Sequence, residues 1–132
     1  MVYDTHKIMK KILFIEDEAA LQKTLGDALA AEGFKVIAAL DGEVGLRLAW
    51  SESPDLILLD LILPKIHGLD VLRKLKENPA TRDLPIIILT NLEEAKEVET
   101  ALALGATTYL VKTSQELKDI IEKTKKILGN AP

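Results

Sequence analysis

Two short apolar runs that each end in a carboxylate constrain this chain more than any other feature. Ile12-Leu13-Phe14-Ile15 leads into Glu16-Asp17-Glu18, and Leu56-Ile57-Leu58-Leu59, preceded by Asp55, leads into Asp60. Runs that are apolar at every position read as strands buried on both faces, as in parallel sheets covered by helices. In open sheets of that kind ligands bind outside the carboxyl ends of the strands. The acids of both runs therefore fall on the edge where chemistry is expected. Carboxylates brought together repel, and the cluster costs stability unless a cation or a proton compensates. A functional role for the group is the reading adopted, whereas any one of these acids alone would pass for a solvated loop residue.

Apolar runs of strand length alternate with helical periodicity five times, with no linker-like interruption. The spacing predicts strands over 11–15, 34–39, 55–59, 86–89 and 107–111. It predicts helices over 19–32, from the Asp41-Gly42 turn to near Trp50, and over 69–77, 93–104 and 114–128. Leu21, Leu25, Ala28 and Leu29 share one face of the first helix, Gly33 and Gly105 stop the first and fourth, and Ser114 is the candidate cap of the last. Short connections force right-handed crossovers, which gives a three-layer α/β sandwich around a parallel sheet.

The 132 residues suffice for one core and leave no room for a second domain. Residues 1–10 read as an N-terminal extension, with Met9 as an alternative start, and 11–130 as the folded domain. A net charge of -4 without a long basic run gives no electrostatic case for direct nucleic-acid binding. The chain has no cysteine, which excludes disulfides and thiol chemistry. It has no apolar stretch of membrane-spanning length and no signal-peptide core, so a cytoplasmic location without membrane contact is expected.

The predicted sheet edge receives Glu16 and Asp17 from the first strand, Asp60 from the third, Thr90 from the fourth and Lys112 from the fifth. Acids, a hydroxyl and an ammonium in one place suit phosphorylation of an aspartate. One carboxylate attacks phosphorus, and the others hold a hard cation such as Mg²⁺, which prefers oxygen ligands and binds through one or two carboxylates plus phosphate. Lysine and threonine meet the phosphoryl oxygens.

Over 11–128 the chain resembles the receiver domain of two-component response regulators, on Phe14-Ile15-Glu16-Asp17-Glu18, on the run from Asp55 to Pro64 with Gly68, on Ile88-Leu89-Thr90 and on Tyr109-Leu110-Val111-Lys112. The resemblance implies a (βα)5 flavodoxin-like, doubly wound fold with sheet order 2-1-3-4-5. It implies that Asp60 accepts a phosphoryl group from a sensor histidine kinase or a histidine phosphotransfer protein. Asp17, Asp60 and the backbone carbonyl of Ile62 would ligate Mg²⁺, with Glu16 acting through water, and Lys112 would contact the phosphoryl group. Thr90 would swing toward the phosphate and let Tyr109 turn inward. That would remodel the surface of the fourth helix, fifth strand and fifth helix, which serves a downstream target, an effector domain or a second copy of the chain.

Three departures from the family pattern stand out: Thr113 replaces the proline after the lysine, Asn91 replaces a small residue, and Ile62 and Leu92 are apolar where polar groups help place a hydrolytic water. Without proline the Lys112-Thr113 bond is expected trans, since a cis non-proline bond costs roughly 2.5–4 kcal/mol. Apolar Ile62 and Leu92 predict slow self-dephosphorylation, the only catalysis expected besides the chain's own phosphorylation. Two other readings remain. A haloacid dehalogenase-type phosphohydrolase would need an acid where Ile62 stands, and a receiver-like scaffold would bind partners without phosphorylation. His6 and His67 read as solvent-facing, and Trp50 as a residue at the edge of the core.

Overall fold

The computed structural model describes residues 9–91, 95–112 and 117–129. Five parallel strands, β1 (Lys11–Ile15), β2 (Lys35–Ala39), β3 (Leu56–Asp60), β4 (Ile86–Thr90) and β5 (Thr108–Val111), form one sheet in the order β2-β1-β3-β4-β5. Helices α1 (Ala19–Ala31), α2 (Gly42–Glu52), α3 (Gly68–Glu77), α4 (Ala95–Ala103) and α5 (Leu117–Leu128) connect or follow them. The doubly wound (βα)5 expectation is met, including the strand order. His6, Leu92, Thr113 with its peptide bond, the Ser114 cap and the expected helix start at 93 lie outside the described residues.

Successive strand side chains point to opposite faces, and the core divides on that alternation. Leu13 and Ile15, Ile57 and Leu59, and Ile86 and Ile88 pack with α2, α3 and α4 residues such as Leu46, Leu72 and Ala101. Ile12 and Phe14, Leu56 and Leu58, Ile87 and Leu89, and Leu110 pack with Leu25 and Leu29 of α1 and Ile120 of α5. The central strands are buried on both sides, which is why they are apolar at every position.

The chain reverses its lateral direction between β1 and β3, and this switch point places the site. The register pairs Ile15 with Leu59, so the residues that follow, Glu16 and Asp60, stand level across it. Gly68 opens α3 directly behind. A Cβ there would lie 2.5 Å from both the Asp60 carbonyl oxygen and Leu61 Cα, so only glycine lets α3 start this close to the end of β3.

Two expectations are corrected. Trp50 is not at the core edge: it is 48% exposed on α2, beside Lys74, Glu77, Asn78 and Pro79. Ala49, one residue earlier, takes the buried position, and the helical turn of about 100° carries Trp50 off that face. His67 is half-buried and caps α3, its Nδ1 accepting the Leu69 N–H at 3.2 Å.

Candidate functional site

Three carboxylates meet at the switch point. Glu16 is fully buried, Asp60 nearly so and Asp17 exposed, and one oxygen from each lies within 4.8 Å of the others. Glu16 is held at several atoms. Its N–H donates to the Ala39 carbonyl at 2.9 Å, and its Oε2 accepts the Glu18 N–H at 3.0 Å. Asp60 Oδ1 accepts the Ile62 N–H at 3.3 Å, an interaction local to the β3–α3 loop.

Lys112 faces both buried acids, its Nζ lying 2.7 Å from Glu16 Oε1 and 3.1 Å from Asp60 Oδ2. Of the two acids Glu16 is the more deeply buried partner of this ammonium. One ammonium against two buried carboxylates is an incomplete balance. Burial pushes the Glu16 carboxyl from its ordinary 4.5 up to about 7, against the opposing pull of Lys112. Burial likewise raises Asp60, again partly offset by Lys112. Burial by itself would lower Lys112, but close contact with Glu16 and the charge of Asp60 outweigh it and raise the ammonium. The acid cluster thus holds more carboxylates than cations. A small divalent cation would supply the missing charge.

A pH dependence follows. Folded Glu16 keeps its proton to about 7 and the unfolded group releases it near 4.5, so between these values the native state binds more protons. Stability of the metal-free chain is therefore fully present below pH 4.5 with respect to this group and is lost as pH rises through about 7. Urea midpoints in chelator should fall between pH 5 and 7.5; a flat or rising profile would show that Glu16 is not held protonated.

Thr90 ends β4, one residue after the Leu89 that pairs with Asp60, and the register sets it beside Val111. The Thr90 hydroxyl is buried and donates to the Asn91 carbonyl at 3.1 Å, while Tyr109 is exposed. Thr90, Val98, Leu102 and Tyr109 line a cavity of about 310 Å³ between β4, β5 and α4. Asn91 lines this cavity too, and also a groove with Glu18, Leu21, Thr24 and Lys112.

Sequence reasoning missed Gln22. It is buried in α1, and its side-chain amide donates to the carbonyls of Phe14 at 2.7 Å, Ala39 at 3.1 Å and Glu16 at 3.2 Å. The signal was present: residues 22, 25 and 29 form one helical stripe, and glutamine breaks its apolar character.

This fold, with an acidic, lysine-paired pocket at its switch point, defines a doubly wound α/β domain whose charged side chains gather at one sheet edge. The family model of the response regulator receiver domain matches residues 12–125, and the chain belongs to that family of two-component signal transduction. It is 43% identical over 106 residues to the phosphate regulon transcriptional regulatory protein PhoB of Rhizobium meliloti, covering 80% of this chain and 46% of PhoB. A CheY-like receiver domain protein from Methanospirillum hungatei superposes with a TM-score of 0.85 at 27% identity, over 92% of this chain and 94% of that one. The Mn(2+)-bound form of response regulator Rcp1 superposes with a TM-score of 0.75 at 31% identity, over 89% and 91%. The chain spans about half or less of the length of the curated relatives it matches. The phosphohydrolase reading is set aside by the family match, since receivers are not a classical enzyme family. Among the described residues no helix is long and apolar enough to cross a membrane.

Proposed function

We propose that this domain, over residues 11–130, is a phosphorylation switch whose acceptor is Asp60. The observation that carries the proposal is the buried Asp60 carboxylate, grouped with Glu16 and Asp17 and held 3.1 Å from Lys112. A sensor histidine kinase or a histidine phosphotransfer protein supplies the phosphoryl group. An Asp60 oxygen attacks phosphorus, the bond from phosphorus to the donor breaks, and an acyl phosphate remains.

Asp17, Asp60 and the Ile62 backbone carbonyl would hold Mg²⁺, with Glu16 acting through water; the grouping of three carboxylates against one ammonium supports this assignment. When bound, the ion neutralises charge on the phosphoryl oxygens. Lys112 contacts the same oxygens. The Thr90 hydroxyl leaves the Asn91 carbonyl for the phosphoryl group, and Tyr109 turns into the cavity it shares with Thr90. The phosphoryl group thereby biases a two-state surface on α4, β5 and α5 through contacts made in one state only. That surface engages a downstream target, an effector domain or a second copy of the chain, without direct DNA contact, in the cytoplasm. Apolar, half-exposed Ile62 gives a hydrolytic water no polar anchor, so the acyl phosphate decays slowly.

The test is intact mass after incubation with acetyl phosphate. A single phosphoryl adduct that requires Mg²⁺ and persists after donor removal is expected. If Mg²⁺ binds but neither acetyl phosphate nor a phosphohistidine donor gives an adduct, the domain is a scaffold that works without phosphorylation.

A further inference from the structure

We propose that Gln22 is a positioning residue for the acidic pocket: its buried amide pins the carboxyl ends of β1 and β2 to α1, setting where Glu16 and Asp17 stand relative to Asp60. The inference deepens the cation-binding part of the proposed function and rests on it.

All three neighbours of the Gln22 amide are carbonyl oxygens, which only accept, so the nitrogen and not the oxygen must face them. Two amide hydrogens serve three acceptors, with the shortest bond, 2.7 Å, to Phe14 and the longest, 3.2 Å, to Glu16. The acceptors sit where the ladder ends. Ala39 is the last residue of β2, and its carbonyl already takes the Glu16 N–H at 2.9 Å. Glu16 is consequently held at its N–H by Ala39, at its carbonyl by Gln22 and at its carboxylate by the Glu18 N–H. Among the described residues, the Gln22 bond is the hydrogen bond that ties this residue to the body of α1. Asp17 follows immediately and has little of its own to fix it, being exposed.

A purely structural role would also explain a buried amide satisfying carbonyls. The two roles differ in what a variant changes. Loss of a structural bond lowers folding stability and leaves the affinity of the folded protein for a cation intact. Loss of a positioning bond misplaces the ligands, and groups that orient metal ligands typically control affinity by about 10–100-fold.

The experiment is calorimetric titration of the whole chain with Mg²⁺ at pH 7.5. It compares the unaltered protein with Gln22→Met, which keeps the length but has no donor, and Gln22→Asn, which keeps the amide but shortens its reach. Leu29→Ala is the control, because Leu29 is buried in the same helix about two turns beyond Gln22 and its loss is expected to lower stability alone. The 13C carbonyl shifts of Phe14, Glu16 and Ala39 report whether the bonds are lost. Expected are a Kd raised about tenfold in Gln22→Met, a smaller rise in Gln22→Asn, and little change in Leu29→Ala. Should Gln22→Met prove too unstable, Gln22→Asn carries the comparison. Unchanged affinity in a Gln22 variant whose carbonyl shifts have moved would overturn the inference and leave the proposed function standing, as would an equal loss in Leu29→Ala. Failure of the unaltered chain to bind Mg²⁺ would instead overturn the cation assignment itself.

Discussion

Asp60→Asn is expected to abolish the Mg²⁺-dependent phosphoryl adduct and, in the same preparation, to stabilise the metal-free chain at pH 7.5. Asparagine keeps the shape of aspartate and can still accept the Ile62 N–H, so the β3–α3 loop has no reason to move. It has no anionic oxygen to attack phosphorus, and the adduct should disappear rather than slow. The stability change follows from charge. Burial raises the Asp60 carboxyl, so near neutral pH the ionised acid is held in the folded state at a net cost despite Lys112. A neutral amide removes that cost and leaves Lys112 with Glu16, 2.7 Å away. A gain is expected because Lys112 keeps Glu16 as its partner, so the change leaves no buried charge unpaired. Urea denaturation in chelator measures it. A surviving adduct would move the acceptor to another residue. A loss of stability would mean that attraction to Lys112 outweighs burial.

This opposition between stability and function explains which parts of the chain were legible in its sequence. Strands β1, β3 and β4 obey burial on both faces and were visible as unbroken apolar runs. Their ends were less so. The apolar run with its flanking acid predicts Asp55 in β3, yet its carboxylate accepts the Lys11 backbone N–H at 2.7 Å across to β1, and Asp60 instead completes the strand. Charge does not exclude a residue from a strand when the site compensates it. The acids and Lys112 were legible because position at the strand ends and chemical type agreed. Thr90 and Tyr109 were legible as residues, but their shared cavity on the α4 face emerges only from the register of β4 with β5. His67 escaped because histidine is not among the preferred helix caps. Trp50 reads as a core-edge residue from its amphipathic character, which does not say which side of α2 it takes, and Ala49 holds the buried side.

Replacing Lys112 with methionine should cost the metal-free chain more than any other single change in the pocket. The ammonium faces Glu16 Oε1 and Asp60 Oδ2, and with it gone two buried carboxylates confront each other. Removing one partner of a buried ion pair typically costs about 3–5 kcal/mol, and that size is expected at pH 7.5. Near pH 5 the cost should be much smaller. Glu16, already pushed up to about 7, is then protonated, and a neutral acid beside Asp60 needs no counter-charge. Without Lys112 both carboxyls rise further, so the variant loses stability with rising pH more steeply than the unaltered chain. Urea denaturation of both proteins at pH 5 and 7.5 in chelator gives the difference directly. Adding Mg²⁺ at pH 7.5 should return part of the loss, because a divalent cation supplies the missing charge to the same oxygens. An equal cost at both pH values would refute this account and assign the effect to packing of the aliphatic stem. The stability effect would then be independent of charge. A cost confined to high pH and relieved by Mg²⁺ would identify Lys112 as the counter-ion that lets these acids share a buried edge until a metal arrives.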